Sequence, residues 1–354
     1  MRKTITAGAL AVLLSGMLSF ALPVASWRTG HDAFAPLALE DGAAGSAPPP
    51  RRVWIDTDAA CGEPGWHDPD DCLALLALLR RPELDIVGVS SVFGNAPLER
   101  TQPITVAAVR QARRGAGMVA VHAGCAAAFP RCTDNAAIRA LREAVAGGPL
   151  TIVALGPLTT VARALARATP EERARVEVVA VMGRRPGHRF HPSENRGSGA
   201  WLFGHGPVFR DLNAVLDPEA ATALLALQPR LTLIPYELAR QVRLDATDLA
   251  RIATQDVAGA WTAARCQAWL ALWRERVGLD AFYPFDLMAA LYVMAPRALD
   301  CARVTAWVGR DPELTVFDRS PALLVTQDDP PANRFAASSA RYCTTVRARV
   351  HDVL

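Results

Sequence analysis

The sequence predicts an α/β protein in which a mostly parallel sheet is flanked by helices and followed by a β-rich C-terminal extension. Between residues 53 and 182, short apolar runs typical of buried strands alternate with longer runs that have helical patterns. The strand runs are apolar almost throughout, as expected for a sheet covered on both faces. After Asp300 the β-rich runs CARVTAWV, ELTVF, PALLVTQ and RYCTTVRARV predict an antiparallel extension of the sheet or a small hairpin region.

The elements of the parallel part follow in chain order. The pattern predicts strands at 53–57, 84–92, 117–124, 150–155 and 176–182, separated by helices at 72–81, 104–114, 134–148 and 160–168. Asp134 or Asn135 is expected to cap the third of these helices, and Gly147 to end it. Further on, we expect a helix from Pro218, a strand at 231–235, mainly helix over 245–277 and a helix over 282–295. This alternation is typical of a Rossmann-like sheet with right-handed crossovers.

The N-terminal residues have the pattern of a secretory signal peptide over 1–26. Arg2 and Lys3 precede an apolar run over 7–24, and small residues follow. The run is about as long as the shortest membrane-spanning helix, so an uncleaved membrane anchor is the alternative. Either way we expect export, to the periplasm or the extracellular space. Residues 27–52 form a Pro/Gly/Ala-rich linker, and residues 53–354 are expected to form one domain.

Composition narrows the classes of function. The net charge is +3 and the arginines are not massed in a basic stripe, so nothing indicates nucleic acid as a partner. The seven cysteines fit an oxidising compartment, with Cys61–Cys72 and Cys125–Cys132 as the nearest candidate disulfides. Because seven is odd, at least one cysteine is unpaired within the chain. No CxxC motif or Cys/His cluster has the spacing of a zinc site.

Five aspartates are gathered where the first strand passes into the first helix: Asp56, Asp58, Asp68, Asp70 and Asp71. Open α/β sheets bind their ligands at this position, outside the carboxyl ends of the strands. Clustered carboxylates are stabilised by a positive charge, and Ca²⁺ or Mg²⁺ prefers oxygen ligands. The cluster therefore predicts a metal site. The alternative, that Asp70 or Asp71 caps the helix, accounts for one aspartate and not for five.

The regular pattern lapses between Arg184 and Arg210. Irregular segments of this length inside a compact domain are usually functional or disordered. The segment contains several rings that suit a lid over a ligand: His188, His191, Trp201, Phe203 and His205. The alternative to a lid is a flexible loop, rich in Arg and Gly, without a role in ligand binding.

The chain resembles the inosine-uridine-preferring nucleoside hydrolases. Their signature opens DxDxxxDD, which Asp56-Thr57-Asp58 and Asp70-Asp71 carry here, with an insertion of about eight residues that contains Asp68. The similarity continues, in the family's order, through GVSSVFGN, VHAG, VALGPLT, VAVMG, DLNAVLDPEAA and FDLMAALYVMAP. It covers residues 53 to about 308, and the motifs together are specific although each alone is weak.

The resemblance implies hydrolysis of the N-glycosidic bond of a ribonucleoside or other riboside, and a homodimer or homotetramer. It implies Ca²⁺ bound by Asp58, Asp71, the backbone carbonyl of Leu155, and Asp286. The residue matching Asp58 also takes the proton of the attacking water. Asp70, Asn95, Asp211 and Asn213 would hold the sugar hydroxyls, and Asp56 would support the metal loop. From the irregular segment, Trp201 and His205 are further candidates for substrate binding.

The chain departs from the family pattern at the leaving-group side. The family's His-Asp pair reads Phe285-Asp286, the family's Glu is Asp211, and Cys61 and Cys72 bracket the insertion. Without the histidine, a ribose- and Ca²⁺-binding domain that has lost turnover is an alternative function. A haloacid dehalogenase-like phosphatase also has DxD after a strand, but it needs a downstream lysine, and the only lysine is Lys3.

Overall fold

A nine-stranded sheet organises the computed structural model, which describes residues 50–113, 117–188, 211–312, 320–332 and 334–347. The predicted signal segment and nearly all of the linker lie outside the described residues. So do Trp201, His205 and most of the predicted lid. The assignments of these segments therefore stay predictions.

The described strands are β1 (Arg51–Thr57), β2 (Leu84–Ser91), β3 (Val121–Ala123), β4 (Leu150–Ala154), β5 (Val176–Ala180), β6 (Arg230–Leu233), β7 (Leu244–Asp245), β8 (Ala281–Phe282), β9 (Leu299–Arg310), β10 (Pro321–Thr326) and β11 (Ala336–Val346). All but β7 and β8 belong to the large sheet, and those two form a small antiparallel pair. The predicted α/β class with a β-rich C-terminal extension is confirmed.

The described helices are α1 (Asp70–Leu79), α2 (Leu98–Ala112), α3 (Ala136–Ala146), α4 (Thr159–Leu165), α5 (Pro170–Ala174), α6 (Leu212–Leu216), α7 (Pro218–Ala226), α8 (Tyr236–Ala239), α9 (Ala246–Gln255), α10 (Val257–Leu272) and α11 (Phe285–Met294). A π-helical turn over Trp273–Val277 continues α10. Asn135 caps α3 by accepting a hydrogen bond from the backbone N–H of Ile138, as one of the two predicted alternatives.

The strand order of the sheet is β10-β9-β11-β6-β5-β4-β1-β2-β3. The chain moves outward from β1 through β2 to β3, and then returns to the other side of β1 with β4. The direction of winding therefore reverses between β1 and β4. Such a reversal leaves a crevice at the carboxyl ends of the strands, because the connections on its two sides lead away from each other.

Two hydrophobic clusters cover the two faces of the parallel strands. Val53 and Ile55 of β1 join the cluster that includes α1, α10 and α11, whereas Trp54 joins the cluster that includes α3, α4 and α7. Side chains alternate across a strand, so one strand supplies both clusters. β4 and β5 are buried along their whole length, as expected for inner parallel strands.

The C-terminal strands extend the sheet in antiparallel fashion. β9 pairs with β10 and β11, and β11 runs parallel to β6 and joins the extension to the rest. Arg184, after β5, is hydrogen-bonded to β10: its backbone N–H donates to Leu323 at 3.1 Å and its carbonyl accepts from Val325 at 3.0 Å. Its side chain pairs with the buried Asp311. These bonds tie the chain leaving β5 to the extension.

Three disulfides are present among the described residues: Cys61–Cys72, Cys125–Cys132 and Cys301–Cys343. The first two were predicted, and the third links β9 to β11. Cys266 is buried and unpaired by a disulfide. This cysteine usage is typical of proteins from oxidising compartments. In the part of the chain that is described, every helix is too short or too polar to cross a membrane.

Gly88 of β2 gives a test of the packing beneath Trp54. A Cβ added at Gly88 would lie 2.3 Å from Cζ3 of Trp54, which is buried. We expect Gly88→Ala to lower the free energy of unfolding by about 1–3 kcal/mol, as overpacked cores do. Urea denaturation measures the change. Gly117→Ala is the control, because its Cβ would meet nothing nearer than 3.9 Å. Equal midpoints for both variants would contradict the packing described.

Candidate active site

A cavity of about 430 Å³ opens at the carboxyl ends of the parallel strands. Cavities that hold small molecules have volumes of about 300–1,000 Å³. Residues directly after five strands line it: Asp58 after β1, Asn95 after β2, Leu155 after β4, Val181 and Met182 after β5, and Ile234 and Tyr236 after β6. It therefore occupies the crevice beside the reversal of winding.

Six aspartates line this cavity: Asp58, Asp68, Asp70, Asp71, Asp211 and Asp286. Among the described residues, Asp70, Asp71 and Asp286 form the tightest acidic group, with one carboxylate oxygen of each within 4.8 Å of the others. Asp70 and Asp71 begin α1, and Asp286 lies in the first turn of α11. The starts of two helices thus bring these three carboxylates together.

The capping alternative for Asp70 and Asp71 is wrong. The residue before α1 is Pro69, and the first N–H of the helix, that of Asp70, donates to Asp68 Oδ1 at 3.2 Å rather than to Asp70 or Asp71. Asp70 Oδ2 instead accepts a hydrogen bond from the backbone N–H of Asp286 at 2.8 Å, and the hydroxyl of Thr57 donates to Asp71. The two carboxylates therefore bind to β1 and α11 and serve the cavity rather than their own helix.

The pKa values of these carboxyl groups are raised because the groups are buried together. Burial, with a contribution from the charge of Asp70, raises the pKa of Asp71 to about 7. Burial raises the pKa of Asp58 well above its usual range, and the charge of Asp71 adds to the effect. The pKa of Asp286 is raised by burial and then by Asp70 and Asp71. A cation among these oxygens would remove the repulsion, and the all-oxygen donor set fits a hard divalent ion.

Asp58 is held by the turn after β2. Its Oδ2 accepts a hydrogen bond from the backbone N–H of Asn95 at 2.7 Å. A Cβ at Gly94 would lie 2.0 Å from the same oxygen, so the close approach of the turn requires glycine. Asp58 lines the cavity but is not one of the three most tightly grouped carboxylates.

Asp56 lies behind the cavity and is fully buried. Its Oδ1 accepts a hydrogen bond from the Ser90 hydroxyl, which in turn accepts one from Trp54 Nε1 at 2.8 Å. Burial raises the pKa of Asp56 to about 7, against the opposing effect of the Ser90 bond. Asp56 thus joins β1 to β2 directly beneath the site.

Asp211 and Asn213 approach the cavity from the start of α6. Asp211 caps this helix and accepts hydrogen bonds from the N–H groups of Gly183, at 2.7 Å, and Ala214, at 3.4 Å. Burial raises the pKa of Asp211 to about 6. The Asn213 amide donates to the carbonyls of Val181, at 3.0 Å, and Leu155, at 2.5 Å. The described residues that the sequence assigned to the site all meet here: Asp58, Asp70, Asp71, Asn95, Leu155, Asp211, Asn213 and Asp286.

The insertion forms a loop over residues 59–69, closed at its base by Cys61–Cys72. Asp68 and Asn95 bind each other twice: Asn95 Nδ2 donates to the Asp68 carbonyl at 2.6 Å, and the Asp68 N–H donates to Asn95 Oδ1 at 3.1 Å. His67 Nδ1 lies 2.6 Å from the carbonyl oxygen of Asn95. The loop is therefore fixed against the turn that also holds Asp58.

An aromatic wall completes the cavity, and the sequence did not reveal most of it. Its members are Trp66, Tyr236, Trp269 and Phe285. The Trp66 and Trp269 rings are 6.3 Å apart and nearly perpendicular, and the Tyr236 and Phe285 rings stack at 5.9 Å. The one available signal was Trp66, a large aromatic side chain between the turn-forming residues of GEPGWHDP. Trp269, in an apolar helix, could not be distinguished from a core residue.

The part of the lining that is described contains no histidine, lysine or arginine. Phe285 lines the cavity beside Asp286. His188, one of the histidines of the predicted lid, has its Nδ1 3.6 Å from Glu237 and does not line the cavity.

Comparisons with known proteins agree with the fold described above. The family model described as inosine-uridine preferring nucleoside hydrolase matches residues 53–341. An uncharacterized protein of Schizosaccharomyces pombe is 24% identical over 75% of this chain and 87% of its own length.

Three solved structures are similar in fold. A plant nucleoside hydrolase has a TM-score of 0.66 at 22% identity, covering 86% of this chain and 98% of its own. An inosine-uridine preferring nucleoside hydrolase from Bacillus anthracis has a TM-score of 0.62 at 17% identity, with coverages of 86% and 97%. A purine-preferring ribonucleoside hydrolase from Gardnerella vaginalis has the same TM-score and identity, with coverages of 86% and 99%.

The carboxylate group predicts pH-dependent binding of a divalent cation. Asp71 has a pKa of about 7 in the folded chain, against 3.8 for an ordinary aspartate, so the folded protein holds this proton between about pH 4 and pH 7. A cation must displace such protons. We therefore expect Ca²⁺ to raise the thermal midpoint more at pH 8 than at pH 5.5, and calorimetry to show tighter binding at the higher pH.

Asp71→Asn should weaken the binding of Ca²⁺ at pH 8 by at least tenfold, because a buried carboxylate oxygen with a negative charge is lost. Asp85→Asn, at an exposed position of β2, is the matched control and should bind like the parent. Parental affinity in Asp71→Asn would remove this residue from the ligand set.

Proposed function

The chain belongs to the inosine-uridine preferring nucleoside hydrolase family, and we propose that it hydrolyses the N-glycosidic bond of a ribonucleoside to give ribose and the free base. The observation that carries this proposal is the convergence of six aspartates with Asn95 and Asn213 in one cavity beside the reversal of winding. Members of the family are glycosidases, and the acidic cavity suits the positive charge that develops when a glycosidic bond breaks.

Asp58, Asp71, the carbonyl of Leu155 and Asp286 are the proposed ligands of Ca²⁺. The mutual repulsion of the buried carboxyl groups and their all-oxygen chemistry support this choice. When bound, such an ion would polarise a water molecule in the site and so make it a better nucleophile. Asp70 lies close enough to Asp71 and Asp286 to share the site or to bind a sugar hydroxyl beside it.

Asp58 is the proposed general base. One of its oxygens is fixed by the backbone N–H of Asn95, which sets the direction of the carboxylate. The water oxygen forms a bond to C1′ of the ribose while the bond from C1′ to the base breaks, and Asp58 takes the proton of the water. A base positioned in this way typically contributes about 10²–10⁴-fold to the rate.

The sugar hydroxyls are proposed to bind Asp70, Asn95, Asp211 and Asn213. Each of these side chains already has at least one fixed hydrogen bond within the protein, so each is oriented before substrate arrives. A sugar without a 2′-hydroxyl would leave a buried polar group unpaired, which selects strongly for ribosides. Trp201 and His205 remain proposed contacts on the side of the base.

A ribose-binding domain without turnover is the second candidate, and Phe285 is the observation that favours it. Most bases leave poorly as anions, and a phenyl ring cannot supply a proton. The aromatic stacking of Phe285 on Tyr236 shows that an apolar side chain fits this position. A phosphatase of the haloacid dehalogenase type is disfavoured, because the described lining has no cation for a phosphate.

The proposed setting is an exported protein that acts on a small nucleoside. The signal-like start and the three disulfides support export to the periplasm or the extracellular space, with membrane attachment only if the N-terminal segment is retained. By likeness to the family a homodimer or homotetramer is proposed.

Asp58→Asn tests the assignment of the base. The substitution keeps the volume and the hydrogen bond from Asn95 but removes both a negative charge and a proton acceptor. We expect a folded protein, by circular dichroism, with turnover reduced by at least about 10²–10⁴-fold in a free-base release assay. Asp85→Asn serves again as the control. Near-parental turnover in Asp58→Asn would exclude this residue from the chemistry.

The leaving-group side is tested with a nitrophenyl riboside, whose leaving group needs no proton. We expect it to be cleaved far better than inosine or uridine. If residues of the predicted lid help the base to leave, then Trp201→Ala, or substitution of His188, His191 or His205, lowers nucleoside turnover and spares the nitrophenyl substrate. Ribose binding without cleavage of any of these substrates would establish the second candidate instead.

A further inference from the structure

The charge of the cavity favours a cationic ligand. Six carboxyl groups line it, and the described lining has no cationic side chain. A bound divalent ion offsets two negative charges, and the described side chains of the lining supply no further positive charge. An anionic aglycone would be repelled, and a positively charged one attracted.

The aromatic wall provides a surface for a flat cation. Trp66 is 51% exposed at the cavity, an unusual position for a tryptophan, and Trp269 beside it is 5% exposed. A flat ring can stack on the face of one of these perpendicular rings, and the face is the part of an indole that attracts a positive charge. Indole is the best side chain for cation–π attraction.

Two buried rings outside the lining, Trp273 and Tyr283, connect the two parts of this wall. Neighbouring rings are within 4.8 to 6.3 Å of each other along the series Trp66, Trp269, Trp273, Tyr283, Tyr236 and Phe285, which ends next to Asp286. The loop that carries Trp66 is held by Cys61–Cys72 and by the double hydrogen bond between Asp68 and Asn95. Because Asn95 also binds Asp58, Trp66 has a defined position relative to the proposed base.

The chemistry of the leaving group also favours a positively charged aglycone. When the bond from C1′ to an uncharged base breaks, both electrons go to the base, which needs a proton to leave as a neutral molecule. When the ring nitrogen carries a positive charge in the substrate, the same electron pair makes it neutral. Water then supplies oxygen to C1′, its proton goes to Asp58, and no acid is required. The inability of Phe285 to donate a proton therefore does not slow that reaction.

We propose that the preferred substrates are N-ribosides of a cationic aromatic ring, of the N-ribosylpyridinium type, and that Trp66 is the residue that selects them. The proposal rests on the proposed hydrolysis and specifies its substrate class. It predicts that ligands with a cationic ring are preferred over uncharged ones, both in turnover and in the binding of the aglycone alone.

Turnover is compared in the presence of Ca²⁺ with three kinds of substrate: the N-riboside of 3-carbamoylpyridinium, the uncharged nucleosides inosine and uridine, and a nitrophenyl riboside. We expect kcat/KM for the pyridinium riboside to exceed that for either nucleoside by about 100-fold or more, because the missing acid costs about 10²–10⁴-fold only for the nucleosides. The nitrophenyl riboside reports whether the sugar side is competent.

Binding is compared by calorimetry with a matched pair that differs in charge, 1-methyl-3-carbamoylpyridinium and 3-methylbenzamide. We expect the cation to bind about fivefold or more tightly, within the range of cation–π attraction in a desolvated site. Trp66→Ala should reduce this ratio by at least about threefold, and Trp66→Phe should keep part of it. Phe335→Ala, an exposed aromatic outside the cavity, is the control and should leave the ratio unchanged.

The outcomes separate this proposal from the function on which it rests. If no riboside is cleaved, the proposed hydrolysis is wrong, and the calorimetric pair still decides the charge preference. If the nucleosides are cleaved as well as the pyridinium riboside and the two isosteres bind equally, hydrolysis stands and the cationic preference is wrong. A charge preference that survives unchanged in Trp66→Ala would overturn the role of Trp66.

Discussion

The enclosure of like charges is the constraint on which the rest of this structure depends. Two unit charges 4 Å apart repel by about 4 kcal/mol at an effective dielectric constant of about 20, and Asp70, Asp71 and Asp286 lie at about such distances. The groups persist because neighbouring elements bind them: Thr57 holds Asp71, and the backbone of Asp286 holds Asp70. The fold thus holds together carboxylate oxygens that would separate in water. This arrangement favours the binding of a cation.

The turn after β2 connects the parts of the site. Asn95 contacts Asp58 through its backbone N–H, Asp68 through its side chain and His67 through its carbonyl. Asp58, the turn after β2 and the insertion are therefore joined at one residue. The reversal of winding between β1 and β4 provides the space, and the flanking strands supply the remaining groups from both sides.

The sequence predicted the carboxylate and amide side chains of the site but not most of its aromatic wall, for a physical reason. Alternating strands and helices of a parallel sheet put every strand end at one edge, so Asp58, Asn95 and Leu155 could be expected to meet. Whether Trp269 faces a cavity or a core depends on how α10 packs, which periodicity does not encode. The Cys301–Cys343 bridge was missed likewise, because it joins strands whose pairing is non-local, 42 residues apart.

The closed base of the insertion has a consequence for how such a site changes over evolutionary time. Cys61 and Cys72 bring the two ends of the loop together, so residues at its tip, before Asp68, can be added or lost while Asp58 and Asp71 keep their separation. Doubling the length of a loop adds only about 0.6 kcal/mol of closure entropy. The tip of the loop can therefore change its contacts to a ligand in the cavity while the buried carboxylates at its base stay in place.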